Sequence, residues 1–515
     1  MKNGIKKNIV LNFVYQFLLI VISIFIISYT SNVLGKDAIG KYSFSQTLNK
    51  YFVLFAALGF GLYGQREIAR FRNDIRKQSI LFWEINLCRF FFVALFLVIN
   101  YVLIFCGLFG GYSNLMLILS MNIIVVAFDM TFFFFGNEEF AKVILVNILV
   151  KIFSVIGIFV FVKKPEDVWI YTLLVASVTF ISNLIICCFL KNKLVKVKFN
   201  ELKPFRHLKQ VLLLALPGLA INLYGLIDNS LIGIITRSDV ENGYYAQAEK
   251  IINKIITLIS CISLVMLPRN THEMSRGNLD QFKKNNYHAI HFIWLLGLPL
   301  FGGVVVTVGN FVPWFLGIGF TKSIAIVQVL SLLIVFMGIS TVIGEHYLLP
   351  SKNDKKYVSA VLIGVAVSFI VNIPLICFWG SLGAAITTVL SAFVIMVVML
   401  CMVAKEVSLK KIFVSMLKPL VATVIMCLAI LPLTMILTPG VSHTFIIIAV
   451  GIIIYVISIL LLRDQLVVSY LQSFRYFKKS KKGKITQMEE GKEKIGIYDE
   501  NMNELAEKIQ SHEGE

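Results

Sequence analysis

The sequence is short of charge, of acidic residues above all, and of cysteine. Only 15% of its 515 residues are charged, with 29 acidic residues against 48 basic ones. Soluble domains carry about 25% charged residues, so an ordinary soluble protein is excluded. The eight cysteines show no CxxC spacing, which argues against a disulfide framework or a zinc site. No Walker motif or nucleophile–base set appears in the sequence either.

The sequence does contain a succession of apolar runs of about 20 residues, each long enough to cross a bilayer core. Backbone groups in lipid must be satisfied within the segment, and the runs lack the alternation of barrel strands, so we expect helices. The predicted fold is an all-α polytopic membrane protein. Its fourteen predicted spans cover 9–31, 42–63, 80–105, 113–135, 141–162, 168–190, 209–236, 246–267, 287–309, 322–343, 357–378, 382–404, 415–437 and 441–462.

Lysine and arginine fall on alternate connections between these spans. The basic connections are the N-terminus, 66–77, 191–209, 269–284, 351–356 and 405–411, whereas 106–114, 378–381 and 438–443 carry neither residue. The positive-inside rule predicts that the basic set and both termini are cytoplasmic. The net charge of +19 is therefore a topology signal and does not indicate nucleic acid. The N-terminal run is too long for a signal peptide and is predicted to be an uncleaved first span.

The two halves of the chain resemble each other at a shift of 203 residues. Gly40 then meets Gly243, Tyr42 meets Tyr245, and Arg66 meets Arg269. Parallel six-span halves are a transporter architecture with the substrate site between them. We predict an N-terminal half (1–190), a basic linker (191–208), a C-terminal half (209–404), two trailing spans (405–462), and an amphipathic helix with a disordered tail (463–515).

Several stretches resemble one family, the oligosaccharide (Wzx-type) flippases of the multidrug/oligosaccharidyl-lipid/polysaccharide superfamily. AFDMTFFFFGNEEF (127–140) is similar to the family element Asp-x-x-Trp-x-Phe-Gln-Gly-x-Glu, with Phe132 in place of Trp and Phe135 in place of Gln. GSLGAAITTVLSAF (380–393) resembles the twelfth span, although Ala392 replaces an expected Glu. The other matching stretches are KKPEDVWIYTLL (163–174), LPGLAINLYGLIDNSLIG (216–233), GYYAQAEKI (243–251), LPRNTHEMS (267–275) and LLPSKNDKKY (348–357).

The resemblance implies movement of an undecaprenyl-diphosphate-linked oligosaccharide from the inner to the outer leaflet of the bacterial plasma membrane by alternating access. It implies no cofactor and no enzymatic activity, but allows coupling to Na⁺ or H⁺. The implied partners are the lipid-linked oligosaccharide, membrane lipids, and a polysaccharide polymerase with its chain-length machinery. The alternatives are a lipid II flippase, a multidrug exporter of the same superfamily, and a membrane polysaccharide polymerase. Several lysines within spans suit a cationic drug poorly, and the outer connections lack the ionisable clusters of a polymerase.

A diphosphate headgroup needs cations that lie inside the spans, away from their ends. Lys50, Lys250 and Lys254 fit best, because Lys250 and Lys254 share a helix face and the repeat places Lys50 at a similar depth. Arg89 and Lys151 are the next candidates. The alternative is that Lys50 pairs with a lipid phosphate, and that Lys250 pairs with Glu249 and Arg89 with Glu84.

Carboxylates inside apolar spans require a partner or a function. We predict that Asp129 pairs with Lys151 within the N-terminal half, with a cavity or protonation role as the alternative. Asp228, together with Asn372 and Thr387 or Thr388, could form an oxygen-rich cation site, for which a buried hydrogen-bond network is the alternative. Glu249 is a further candidate for coupling. Glu138 and Glu139 are expected in solvent or on the basic connections.

Overall fold

The computed structural model describes residues 2–191, 193–260, 263–464 and 466–468. All regular secondary structure within these ranges is helical. The α-helices are α1 (Lys2–Ala57), α2 (Phe60–Arg70), α3 (Ile75–Phe105), α4 (Ser113–Phe128), α5 (Thr131–Gly136), α6 (Phe140–Phe161), α7 (Val168–Cys188), α8 (Leu208–Thr236), α9 (Asp239–Ser260), α10 (Ser263–Ser275), α11 (Leu279–Phe315), α12 (Thr321–Leu330), α13 (Leu333–Thr341), α14 (Asp354–Trp379), α15 (Ser381–Val403), α16 (Leu409–Ile436) and α17 (Val441–Leu461). A π-helical segment, Val342–Leu348, follows α13.

Ten helical segments in the described part of the chain are long and apolar enough to cross a membrane. They coincide with predicted spans three to six and nine to fourteen, which confirms a polytopic all-α membrane protein. Span one and most of span two fall in α1, the end of span two in α2, span seven in α8 and the first part of span eight in α9. The total of fourteen stays a prediction. Most of the predicted amphipathic helix and tail, from 469 onward, lies outside the described residues.

The connection predicted between spans one and two is instead part of α1. Residues 32–41 are helical apart from Gly35, whose φ of 72° breaks the helix. Glycine adopts positive φ at little cost because it lacks a Cβ. In the C-terminal half, Arg237, at φ 51°, and Ser238 separate α8 from α9. The shift of 203 residues places Gly35 opposite Ser238, so both breaks fall at matching positions of the repeat.

The connections between the helices lie at two ends of the bundle, and their contacts show which connections share an end. At the first, which we call the basic end, ion pairs join Arg72 to Glu138, Lys193 to Glu139 and Lys356 to Glu406. At the second, which we call the opposite end, polar contacts join Asn32 to Phe315, Tyr112 to Asp239 and Lys322 to Glu241. The prediction that Glu138 and Glu139 contact basic connections is thus confirmed. Burial disfavours the charged form of Glu139, but hydrogen bonds from Lys193 and Lys142 outweigh it and lower the pKa of this carboxyl.

At the basic end, Glu84 of α3 holds the chain that leads into α8. Its fully buried carboxylate accepts hydrogen bonds from the Lys203 amide (2.8 Å), Arg206 Nη2 (2.5 Å) and His207 Nε2 (2.8 Å). The other ring nitrogen of His207 is 2.7 Å from the hydroxyl of Tyr63. Pairing of Glu84 with Arg89, the structural alternative, is therefore wrong. The first residues of α8 are fixed to the N-terminal half.

The fourth predicted span is broken at Asp129, between α4 and α5. The Asp129 carboxylate accepts hydrogen bonds from the backbone N–H (3.0 Å) and hydroxyl (2.5 Å) of Thr131, as a helix N-cap does. The buried Arg89 guanidinium donates to the Asp129 carbonyl (2.6 Å), to the Ala127 carbonyl (3.4 Å) and to the side chain of Asn86. Asp129 therefore lies in the break between α4 and α5, and its cationic neighbour is Arg89 rather than the predicted Lys151.

At the opposite end, α1 and α9 cross at a pair of glycines. A Cβ added to Gly40 would lie 1.6 Å from the Asp239 carbonyl oxygen, and one added to Gly243 would lie 2.1 Å from the Lys36 carbonyl oxygen. Backbone atoms cannot move aside as a flexible side chain can, so only glycine permits this approach. Gln247 Nε2 also donates to Ser31 Oγ at 2.8 Å across the same interface. These contacts close the two halves against each other at this end.

Replacing Arg89 by Met should destabilise the protein by about 3 kcal/mol, because it leaves the Asp129 and Ala127 carbonyls and the side-chain oxygen of Asn86 without their donor. The midpoint of thermal unfolding in detergent measures this loss. Asp129→Asn is the matched control, since an amide oxygen still caps Thr131, and its midpoint should fall less. An unfolding midpoint of Arg89→Met equal to that of the wild type would contradict the prediction.

Replacing Gly243 by Val should hold the two halves apart at the opposite end, because the new side chain meets the Lys36 carbonyl. Spin labels on cysteines introduced at Glu166 and Phe378, in a variant whose native cysteines are alanine, would report the separation by pulsed electron resonance. We expect the distance distribution to shift to longer values. Gly309→Val is the control, because a Cβ there meets open space. The same distribution in both folded variants would refute the assignment.

Candidate functional site: lysines between the two halves

The structure brings three predicted cations together where α1 packs against α9. Lys50 lies on α1, and Lys250 and Lys254 lie one turn apart on α9. Lys250 is close enough to both Lys50 and Lys254 for their charges to interact. Because α1 belongs to the N-terminal half and α9 to the C-terminal half, the positive charge is shared between the halves. Lys50 is exposed, and the other two are half-buried.

Lys151 of α6 is a fourth member of this group, which we call the lysine cluster. Its charge interacts with that of Lys254, and its side chain is half-buried. The predicted ion pair of Lys151 with Asp129 is absent from the described residues, where no salt bridge involves either side chain. Lys151 thus adds positive charge to the cluster from the N-terminal half.

The lysine cluster lacks a close counter-charge. Within the described ranges, no carboxylate lies within 4.0 Å of the ammonium groups of Lys50, Lys151, Lys250 or Lys254. Lys250 lies over the ring of Tyr42, 6.0 Å from its centroid. Four cations gathered in this way between membrane helices can attract an anion strongly.

Glu249 precedes Lys250 on α9 but does not form an ion pair with it. Its carboxylate accepts a hydrogen bond from Asn229 Nδ2 of α8 at 3.0 Å, while its charge interacts with those of Lys50 and Lys250. The salt bridge with Lys250, given above as the structural alternative, is therefore absent. Glu249 reduces the field of the cluster without neutralising any one lysine.

Asp228 of α8 lies in a network of hydrogen-bond donors inside the C-terminal half. Its carboxylate accepts from Asn372 Nδ2 (2.5 Å), the Tyr245 hydroxyl (2.8 Å) and the Thr388 hydroxyl (2.7 Å). Thr387, predicted as a member of this site, instead donates to the Gly383 carbonyl, so Thr388 takes its place. This arrangement has the form of the buried hydrogen-bond network. The cation site at Asp228 and Asn372 stays a prediction.

A cavity of about 400 Å³ is lined by residues of α8, α9, α13, α14 and α15. Most of its lining is apolar, and the ionisable or polar residues in it are Tyr224, Asp228, Tyr245, Glu249, Asn253, Ser340, Thr341, Glu345, Tyr357 and Thr388. Both acidic candidates of the C-terminal half therefore face the same space. Among the described residues, no group of three His, Cys, Asp or Glu side chains is placed to hold a metal ion.

The polar contacts between α1 and the C-terminal half were not predicted. Ser43 Oγ is 3.5 Å from Asn229 Oδ1, and the hydroxyl groups of Tyr51 and Ser230 are 2.9 Å apart. A signal was present, because polar residues recur every three or four positions along α1 at Ser43, Gln46, Thr47 and Lys50. Ser43 of that stripe is one of the residues through which α1 contacts α8.

Comparison with known proteins identifies a family and several relatives. A family model described as polysaccharide biosynthesis protein matches residues 5–272, just over half of the chain. A protein of Escherichia coli (strain K12) named "Putative O-antigen transporter" is 21% identical over 397 residues, which cover 75% of this chain and 93% of that protein. A protein of the same name from Shigella dysenteriae is 22% identical over 398 residues, covering 77% of this chain and 99% of that protein.

Two solved structures share the fold. The lipid II flippase MurJ, in an inward closed conformation, is 16% identical with a TM-score of 0.69, covering 89% of this chain and 100% of that one. An inward-facing multidrug resistance MATE family transporter of the MOP superfamily is 13% identical with a TM-score of 0.60, covering 75% and 94%. At these identities the likeness concerns the fold alone. The family match shows that this multi-pass membrane protein belongs to the polysaccharide biosynthesis protein family.

Proposed function

We propose that this protein is a flippase that moves an undecaprenyl-diphosphate-linked oligosaccharide from the inner to the outer leaflet of the bacterial plasma membrane. The observation that carries the proposal is the lysine cluster, to which both halves contribute and with which no carboxylate of the described residues forms an ion pair. Family membership and the relatives named as transporters support a transport role rather than an enzymatic one. The basic end is assigned to the cytoplasm, with both termini, by the positive-inside rule.

The physical task of such a flippase concerns the headgroup. The lipid tail can remain in the bilayer throughout, whereas the sugars and the charged diphosphate cannot enter hydrocarbon unaided. One pair of opposite unit charges at 4 Å gains about 4 kcal/mol at an effective dielectric constant of about 20. Several lysines around one diphosphate therefore offset a large part of the cost of dehydrating it.

Alternating access requires the two ends of the bundle to open in turn. The glycine crossing of α1 and α9 closes the opposite end, which faces the outer leaflet in this assignment. In the described conformation, a headgroup at the lysine cluster is then separated from the outer side by packed backbone. Release to that side requires the crossing to open, which is the rocking of halves expected of alternating access. A polymerase would take up the released oligosaccharide there.

The rival functions fit the site less well. The charge of the cluster has the wrong sign for a cationic drug, which disfavours a multidrug exporter. A lipid II flippase would meet the same diphosphate, so the cluster alone does not exclude it. Alignment over nearly the whole length of two relatives named as O-antigen transporters favours the oligosaccharide branch.

Replacing Lys50, Lys250 or Lys254 by Ala should weaken binding of a lipid diphosphate by about tenfold each, since each loses roughly 1.4 kcal/mol of attraction. Isothermal titration of farnesyl diphosphate into the protein in lipid nanodiscs measures this directly. Polysaccharide export in cells, with the amount of protein in the membrane checked, measures the consequence.

The control for this series is Lys355→Ala, because Lys355 is an exposed lysine at the basic end and outside the cluster. It should bind farnesyl diphosphate as the wild type does and support normal export. Normal binding and export in all three cluster variants would refute the proposed function.

A further inference from the structure

Glu249 contributes to two sites. It lines the cavity of the C-terminal half, together with Asp228 and Tyr245. Its charge also interacts with those of Lys50 and Lys250 of the lysine cluster. No other acidic side chain of the described residues both lines this cavity and interacts with a lysine of the cluster. Its charge state therefore bears on both sites at once.

The hydrogen bonds of Asp228 and Glu249 differ. The Asp228 carboxylate is held by three donors, from Asn372, Tyr245 and Thr388, which stabilise its charged form. The Glu249 carboxylate has a single donor among the described residues, Asn229 Nδ2. Glu249 is thus the acid that gains more from taking up a proton.

A proton suits this position better than a metal ion. A sodium or calcium ion needs several oxygen ligands around it, and the group directed at Glu249 is the amide N–H of Asn229, which a cation would oppose. One carboxylate oxygen is sufficient for a proton. The cavity that Glu249 lines provides space next to its side chain.

We propose that Glu249 couples protons to the substrate: a proton taken up on its carboxylate oxygen strengthens the hold of the lysine cluster on an anionic diphosphate. This inference rests on the proposed function, because it assumes the diphosphate. No other bond is made or broken in the step. The proton comes from water in the cavity and returns to water when the carboxylate ionises again.

The sign of the coupling follows from the charges around Glu249. Ionised Glu249 offsets about one of the positive charges of Lys50 and Lys250, and its protonation removes that offset. Diphosphate binding becomes more favourable, and by reciprocity a bound diphosphate increases the proton affinity of Glu249. The negative charge of Asp228 on α8 repels that of ionised Glu249, so it also favours protonation of Glu249.

The remaining titratable groups around Glu249 come from its neighbours. Tyr245 of α9 lies next to both acids, and its charge, if it ionised, would interact with theirs. The cavity wall adds Tyr224 from α8, whose charge would interact with that of Asp228, together with Glu345 from the π-helical segment and Tyr357 from α14. None of these three interacts with a cluster lysine. The neighbours leave Glu249 as the residue that transmits protonation to the lysines.

The test measures proton uptake during binding. Farnesyl diphosphate is titrated calorimetrically into the full protein in nanodiscs, in potassium buffers of different ionisation enthalpy, from pH 5.5 to 8.5. The proton uptake of the free ligand is measured in parallel and subtracted. Wild type should take up protons on binding, and Glu249→Gln should not. Glu249→Gln should also bind about tenfold more tightly than wild type at the alkaline limit, within the usual range of such couplings.

The controls separate coupling from structure. Glu345→Gln removes another carboxylate of the same cavity and should keep the uptake of the wild type. Glu249→Ala provides a second variant should the amide disturb folding, and it should likewise lose proton uptake. Equal uptake in wild type and in both Glu249 variants would overturn the coupling while leaving the proposed function intact.

Two further outcomes are distinguishable. Tighter binding when sodium replaces potassium, in wild type but not in Glu249→Gln, would assign the site to sodium and overturn the proton proposal. Absence of farnesyl diphosphate binding in every variant, wild type included, would overturn the proposed function and the coupling with it.

Discussion

Positive charge held between membrane helices without a close partner is the constraint on which the rest of this structure depends. An ammonium group at such a depth is costly unless water or an anion reaches it. Four lysines share this condition, and they come from both halves of the chain. An interface without water would need carboxylates to neutralise these lysines. The polar stripe of α1 and the lysines therefore indicate a hydrated interface that can accept an anionic ligand.

The other charges inside the bundle are arranged differently. Arg89 is fully enclosed and directs its N–H groups at the broken ends of α4 and α5, and Glu84 is fully enclosed by three donors. Such groups stabilise backbone that would otherwise be unsatisfied in lipid. A buried charge whose hydrogen-bond partners are present stabilises the fold, whereas the lysines, which lack a close counter-charge, form the candidate binding site. Depth in the membrane alone does not separate the two classes.

The sequence analysis found what depends on periodicity and composition. Apolar runs predict ten of the spans well, and helical spacing together with the repeat brings Lys50, Lys250 and Lys254 to one region. Sequence analysis could not predict contacts between residues far apart in the chain. Glu84 contacts Arg206, and Asp129 contacts Arg89, through packing that no local sequence pattern indicates. Thr387 and Thr388 are neighbours in sequence, but they point to different sides of α15, and only the packed helix decides which one reaches Asp228.

The anchoring of α8 has a mechanical consequence. Its first turns are tied to the N-terminal half through His207, Gln210 and the close approach of Ala215 to Gly59, and its later turns are tied to the C-terminal half through Asp228. The helix α8 is thus attached to both halves. If the halves tilt against each other, α8 must bend between Ala215 and Asp228. Gly218 and Gly225 lie in that stretch, with open space beside them, so the flexure meets little steric resistance there.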